Sequence, residues 1–197
     1  IADSFIGIIG MGNVGQAISA RLAGFRANLL YSDDQILPQH TANTLRIRRV
    51  SREILMQKSD FIVLALPLNK LTQHIVNDAF LQQIKQGSYL INPCRGSVVD
   101  ESAVATALDE GRLAGYAADV FEMEDWARGD RPTAINEQLL QNHDCTLFTP
   151  HLGSAVNDIR RDIAMEAAEN IVTALRGEHP TNALNKIVSR DSRRCSI

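Results

Sequence analysis

The sequence predicts an α/β fold in which a parallel sheet is covered by helices on both faces. Three observations carry that prediction. Short runs rich in Val, Ile, Leu and aromatic residues alternate with stretches whose apolar residues recur at helical spacing. The runs are apolar almost throughout instead of at every second residue, as strands buried on both faces require. The first run leads through GMGNVG, residues 10–15, directly into a helical pattern.

The elements follow in order. FIGII, residues 5–9, is a β-branched first strand, followed by a helix over 14–22. A second strand at 28–31 ends at Asp33 and Asp34. A helical stretch at 51–57 precedes FIVLAL, residues 61–66, a third strand stopped by Pro67, which has no N–H to continue a ladder. A short helix at 80–84 leads to a fourth strand at 88–91. Residues 100–110 form a helix that Asp100 caps and Gly111 closes. A fifth strand at 116–120 and a sixth at 146–148 precede a helix over 154–176 that ends at Gly177. Residues 123–138 are charged and turn-rich, which suits a functional loop better than a linker. Residues 1–178 read as one domain and 179–197 as a return segment with a polar, basic tail that frays from 189.

Composition bounds the function. The 197 residues are 45% apolar and 22% charged, enough to bury one proper core. A net charge of −3 gives no electrostatic ground for a nucleic-acid or anionic-membrane partner. The longest apolar run, 61–66, is too short to cross a bilayer. Cys94, Cys145 and Cys195 are odd in number and lack metal-ligand spacing, so a reduced, cytoplasmic protein without a metal site is expected. The chain opens at Ile1 with a strand almost at once, which reads as a fragment of a longer protein.

Gly10, Gly12 and Gly15 stand between a strand and a helix, the context in which such a triplet binds a dinucleotide. The first glycine permits the tight turn, the second lets backbone approach a pyrophosphate, and the third lets helix and strand pack closely. Asp33, at the end of the second strand, is placed to hold ribose hydroxyls. The fold is therefore expected to be a Rossmann-type doubly wound sheet. Asp34 adds negative charge, and no Arg or Lys follows until Arg46, so NAD is expected over NADP.

Three polar residues follow the fourth, fifth and sixth strands: Arg95, Glu124 and His151. In a parallel sheet these loops open on the carboxyl edge, where ligands bind. Arg95 reads as a structural ion pair or an anion holder, Glu124 as a solvated acid or a partner for a base, and His151 as a helix-entry residue or an acid/base group. Their common placement favours chemistry. An unpaired guanidinium leaving the core costs several kcal/mol, which a ligand anion would offset.

The fingerprint, NPCRGSVVDE at 92–101, DVFE at 119–122 and TPHLGSA at 149–155, in this order, resemble the NAD-binding domain of the D-isomer-specific 2-hydroxyacid dehydrogenases. The resemblance covers about residues 5–185. Within that family, GYAADVFEMEDWARGDRP at 115–132 is similar to the phosphite (phosphonate) dehydrogenases, where the wider family has a short Glu-Pro turn. The resemblance implies a catalytic set of Arg95 for the substrate anion, Glu124 as acidic partner and His151 as acid/base. It implies cofactor contacts at Asn13, Val14 and Asp33, at Ala65, Leu66 and Pro67 on the adenosine side, and at Pro93, Cys94, Asp119, Gly153 and Ser154 on the nicotinamide side. Ser154 also reads as a plain helix N-cap.

The implied reaction is oxidation of phosphite to phosphate, with water attacking phosphorus, His151 taking its proton and hydride passing to NAD. The alternatives are a dehydrogenase for a 2-hydroxy acid of the glyoxylate or hydroxypyruvate type, or a non-catalytic NAD-sensing protein. Trp126, Arg128 and Arg131 discriminate, because a cationic, Trp-bearing loop suits a small dianion. The family's substrate domain is mostly absent from this chain, so the fragment alone is expected to turn over little. The full-length protein is expected to be a homodimer.

Overall fold

The computed structural model describes residues 1–185; the expected frayed tail and Cys195 lie outside them. The chain divides into two compact units, Ile1–His151 and Leu152–Ile197.

The first unit is built on one seven-stranded sheet whose strands are all parallel. Its elements in chain order are β1 (Phe5–Ile9), α1 (Asn13–Leu22), β2 (Asn28–Ser32), α2 (Gln39–Leu45), β3 (Ile47–Arg49), α3 (Arg52–Lys58) and β4 (Phe61–Leu64). They continue with α4 (Asp78–Leu81), β5 (Ser88–Asn92), α5 (Glu101–Asp109), β6 (Leu113–Ala118), α6 (Glu137–Gln141) and β7 (Thr146–Phe148). The six expected strands are present. A seventh, β3, and the helix α2 before it occupy a stretch to which the apolar pattern assigned nothing. The reason is local: of Ile47, Arg48 and Arg49 only Ile47 is buried, as suits a short edge strand.

Strand order in the sheet is β3-β2-β1-β4-β5-β6-β7. β1 pairs with β2 on one side and β4 on the other, so the winding reverses between β1 and β4. That reversal leaves a crevice at the carboxyl ends of the strands, where ligands of such sheets bind. The strands carry the core as the apolar runs predict, with Ile8, Ile62, Leu64 and Leu90 at 0–1% exposure. The last expected strand before the loop is displaced: β6 runs from Leu113, directly after Gly111 closes α5, and ends at Ala118. Asp100 caps α5 as expected, its Oδ1 accepting from the N–H of Ser102 and Ala103.

The second unit contains α7 (Asn157–Leu175), with Gly177 at φ 78° just past its end. The residue preceding the helix is Val156, so Ser154 is not its N-cap; the Ser154 carbonyl instead accepts from Arg160 Nε at 3.0 Å.

Candidate active site

The glycine-rich turn is shaped by close backbone contacts. Gly10 sits at φ 96°, and a Cβ there would lie 2.4 Å from the Ala65 carbonyl oxygen, so only glycine fits. Gly15 packs as tightly against Gly10, whereas Gly12 faces open space, as a backbone that must approach a phosphate requires. Asp33 ties this turn to β2: its Oδ2 accepts from the Met11 N–H at 2.5 Å and its Oδ1 from Gln35 N–H at 2.7 Å.

Beside that turn, a crevice of about 900 Å³ opens at the ends of β1, β2, β3 and β4. Asp33, Asp34, Leu66 and Pro67 line it, together with Arg49 and Arg52. Those two arginines lie beyond the run after Asp33 that the sequence reading weighed, and β3 pairing beside β2 brings them back to it. Arg49 donates to the Asp33 carbonyl at 3.0 Å. Ala65, just before Leu66, is not among the lining residues; its N–H is bonded to the Ile9 carbonyl at 2.7 Å. Asn13 and Val14 are exposed at the first turn of α1 and border a separate hollow.

After β5 the chain turns out through Pro93 and Cys94. Cys94 is buried; burial pushes its thiol pKa up, and the sulfur donates to Asn92 Oδ1 at 3.0 Å, so it is no nucleophile. Arg95 is exposed, with its guanidinium donating to the Cys94 carbonyl at 2.6 Å. It is in no ion pair among the described residues. A charge held in place by a carbonyl and lacking a carboxylate partner can take an anion.

The other two members of the set touch. His151 Nδ1 lies 2.6 Å from Glu124 Oε2. A carboxylate can only accept, so Nδ1 carries the proton and Nε2 of the neutral ring carries the lone pair. Glu124's second oxygen, Oε1, accepts from the Phe121 N–H at 2.8 Å, so both oxygens are engaged and the carboxylate is fixed. His151 itself sits at φ 53°, unusual for a non-glycine residue, with its N–H on the Thr149 carbonyl at 3.0 Å. Asp119 accepts from Thr149 Oγ1 at 2.5 Å, which joins the ends of β6 and β7.

The turn that bears Arg95 is packed against the turn that bears Glu124. Gly96 comes so close to Phe121 that a Cβ would lie 1.9 Å from the Phe121 carbonyl carbon. Ser97 N–H donates to Asp125 Oδ2 at 2.7 Å. The arginine, carboxylate and imidazole thus come from three loops at one sheet edge. Gly153 and Ser154 belong to the second unit.

Several charged residues beneath this edge escaped the sequence reading. Glu122 is buried and its Oε2 meets His74 Nε2 at 2.8 Å and Arg128 at 3.0 Å. Glu101, also buried, exchanges backbone bonds with it: each carboxylate accepts the other residue's N–H. Burial raises the Glu101 pKa. Arg128, offered above as a substrate-side cation, is instead only 13% exposed in its side chain and forked onto Asp130. The only hint in sequence was the Glu-x-x-x-x-x-Arg-x-Asp spacing at 122–130, which could equally have been a solvated loop. Arg131 stacks over the exposed Trp126 ring, 4.2 Å from its centre.

The family model for the D-isomer specific 2-hydroxyacid dehydrogenase NAD binding domain matches residues 1–153. A glyoxylate reductase of Pyrococcus horikoshii is 39% identical over 183 residues, spanning 93% of this chain and 52% of that protein. One of Thermococcus litoralis is 36% identical over 187 residues, spanning 95% and 54%. Among solved structures, the holo form of Rhodotorula graminis D-mandelate dehydrogenase aligns with a TM-score of 0.84 at 25% identity, covering 95% of this chain and 53% of that one. The chain spans about half the length of the curated relatives it matches.

Proposed function

The chain belongs to the D-isomer specific 2-hydroxyacid dehydrogenases, as their NAD-binding domain, and from that premise we propose that the full-length protein exchanges hydride between NAD and a small anion held by Arg95. One observation carries the reading: the Glu124 carboxylate on His151 Nδ1, which leaves Nε2 free to move a proton. The open Gly12, the crevice and Asp33 suit NAD. NAD, when bound, supplies the hydride acceptor or donor. Arg95 grips two oxygens of the anion with its planar fork and meets charge that develops there. Glu124 holds the ring and stabilises it when charged.

Two substrate readings follow. In the first, the substrate is a 2-oxo acid of the glyoxylate or hydroxypyruvate type, and His151 gives a proton to the carbonyl oxygen or takes it back from the hydroxyl. The glyoxylate reductases among the relatives favour this reading. In the second, the substrate is phosphite, and His151 takes a proton from the attacking water. Its support is the 115–132 segment, whose Trp126 and Arg131 remain exposed or partly exposed after Arg128 has turned inward. Full-length protein given NADH with glyoxylate or hydroxypyruvate, and separately NAD with phosphite, separates the two by NADH absorbance. Substituting His151→Ala should cut turnover by at least about 10²-fold while NAD still binds. Activity on neither substrate class, or a variant as active as the parent, would overturn the reading.

A further inference from the structure

The loop after Glu124 carries its arginine inward, which has a consequence for the geometry above it. We infer that Arg128 is a positioning residue that fixes the spacing between Arg95 and the Glu124–His151 pair, with Asp125 completing the fastening. The inference rests on the roles proposed for those three residues.

Arg95 immediately precedes one short 3₁₀ turn, Gly96–Val98, and Glu124 ends another, Glu122–Glu124. Such turns have poor internal hydrogen bonds and do not hold their own position. Across them runs a set of side-chain bonds centred on Arg128. One of its terminal nitrogens donates both to Ser97 Oγ, at 2.8 Å, and to Glu122 Oε2, at 3.0 Å, one acceptor on each turn. The rest of the fork grips Asp130, Nε on Oδ1 at 3.2 Å and the other terminal nitrogen on Oδ2 at 3.1 Å. Asp125 adds a second tie by accepting the Ser97 N–H. Glu122 is anchored from below by the Glu101 N–H and from the side by His74.

The guanidinium is suited to this by shape. It presents five donors in a rigid plane, so one group can satisfy Ser97, Glu122 and Asp130 together. A lysine ammonium keeps the charge but cannot span those three acceptors in the same geometry. Removing the fork leaves Glu122 buried with weaker neutralisation and frees the two turns to drift. A drift of about 1 Å between catalytic groups costs about 10²-fold in rate.

The test uses the full-length protein saturated with NAD and the variants Arg128→Lys and Asp125→Asn. Neither side chain is assigned to the cofactor or the reacting atoms. Two measurements are made: steady-state kinetics, and the downfield proton resonance of the His151 Nδ1–H···Glu124 bond, identified by its loss in His151→Ala. Arg128→Lys should lower kcat/KM for the anion by about 10²-fold, leave NAD affinity and the methyl spectrum unchanged, and weaken the Nδ1 proton signal. Asp125→Asn should do the same to a smaller extent. Parental kinetics with an intact signal in Arg128→Lys would overturn the inference. So would equal losses of NAD affinity and turnover, which would mark a general loosening. If the parent protein turns over neither substrate class, the proposed function fails; the Nδ1 signal then decides the positioning role alone, its loss in both variants supporting it and its retention sinking it.

Discussion

Glu124→Gln isolates one carboxylate charge with almost no change of shape. Glu124 uses its two oxygens for two donors, the Phe121 N–H and His151 Nδ1–H. Glutamine has one carbonyl oxygen, so one of those donors must face an NH₂ group. If that donor is Nδ1–H, the ring loses its anchor; if it is the Phe121 N–H, the 3₁₀ turn loses its cap. A hydrogen bond to a charged group is worth about 1.5–3 kcal/mol net. At about 1.36 kcal/mol per tenfold that is about 10- to 150-fold in rate. The imidazole is 47% exposed, so solvent screening draws the charge effect toward the lower part of the range. Misorientation of the ring draws it back up. The expected outcome for full-length protein is a fall in kcat of about 10²-fold, with affinity for NAD unchanged, measured by NADH absorbance and by cofactor titration. A fall of less than about threefold, where about 10-fold is the minimum that the bond predicts, would refute the assignment of Glu124 as the partner of His151.

Other perturbations probe the frame and the crevice. Gly96→Ala places a methyl 1.9 Å from the Phe121 backbone and should cost about 1–3 kcal/mol; a thermal melt matching the parent would show that the two turns can part freely. Asp60 is held below the usual carboxylate range, first by the hydrogen bond from Lys85 and then by the Phe5 N–H. A lowered folded pKa means that its stabilisation is fully present above the unfolded value and vanishes as pH falls through the folded one. Because Lys85 and Asp60 are partly exposed, Asp60→Asn should cost no more than about 1 kcal/mol at neutral pH, and the gap should close in acid; urea unfolding across pH checks this, and a constant gap would contradict it. NAD should be preferred over NADP because Asp33 and Asp34 face the crevice. Asp34→Ala should narrow the difference in KM, since Arg49 and Arg52 remain there to meet a 2′-phosphate; a parent protein that favours NADP would reverse the reading.

Much of this protein was legible in one dimension. The buried strands, the helix caps at Asp100 and the turn at Gly10 are set by neighbours a few residues away, through side-chain burial, cap chemistry and backbone freedom. Asp33 and His151 could be singled out as candidates because they stand at fixed offsets from strand ends. β3 and α2 were missed because a three-residue edge strand holding two exposed arginines has no apolar run to betray it.

What only the folded chain decided were meetings between distant segments. Strand order returned Arg49 and Arg52 to the crevice of Asp33, which no window after Asp33 could reveal. The same kind of closure turned Arg128 from a substrate-side cation into a half-buried fork between Glu122 and Asp130. Local pattern reports which residues leave the water and how the backbone bends; it does not report which charge from another loop will stand opposite once they have. That pairing is fixed by desolvation and geometry together, and both exist only when the sheet has brought its loops to one edge.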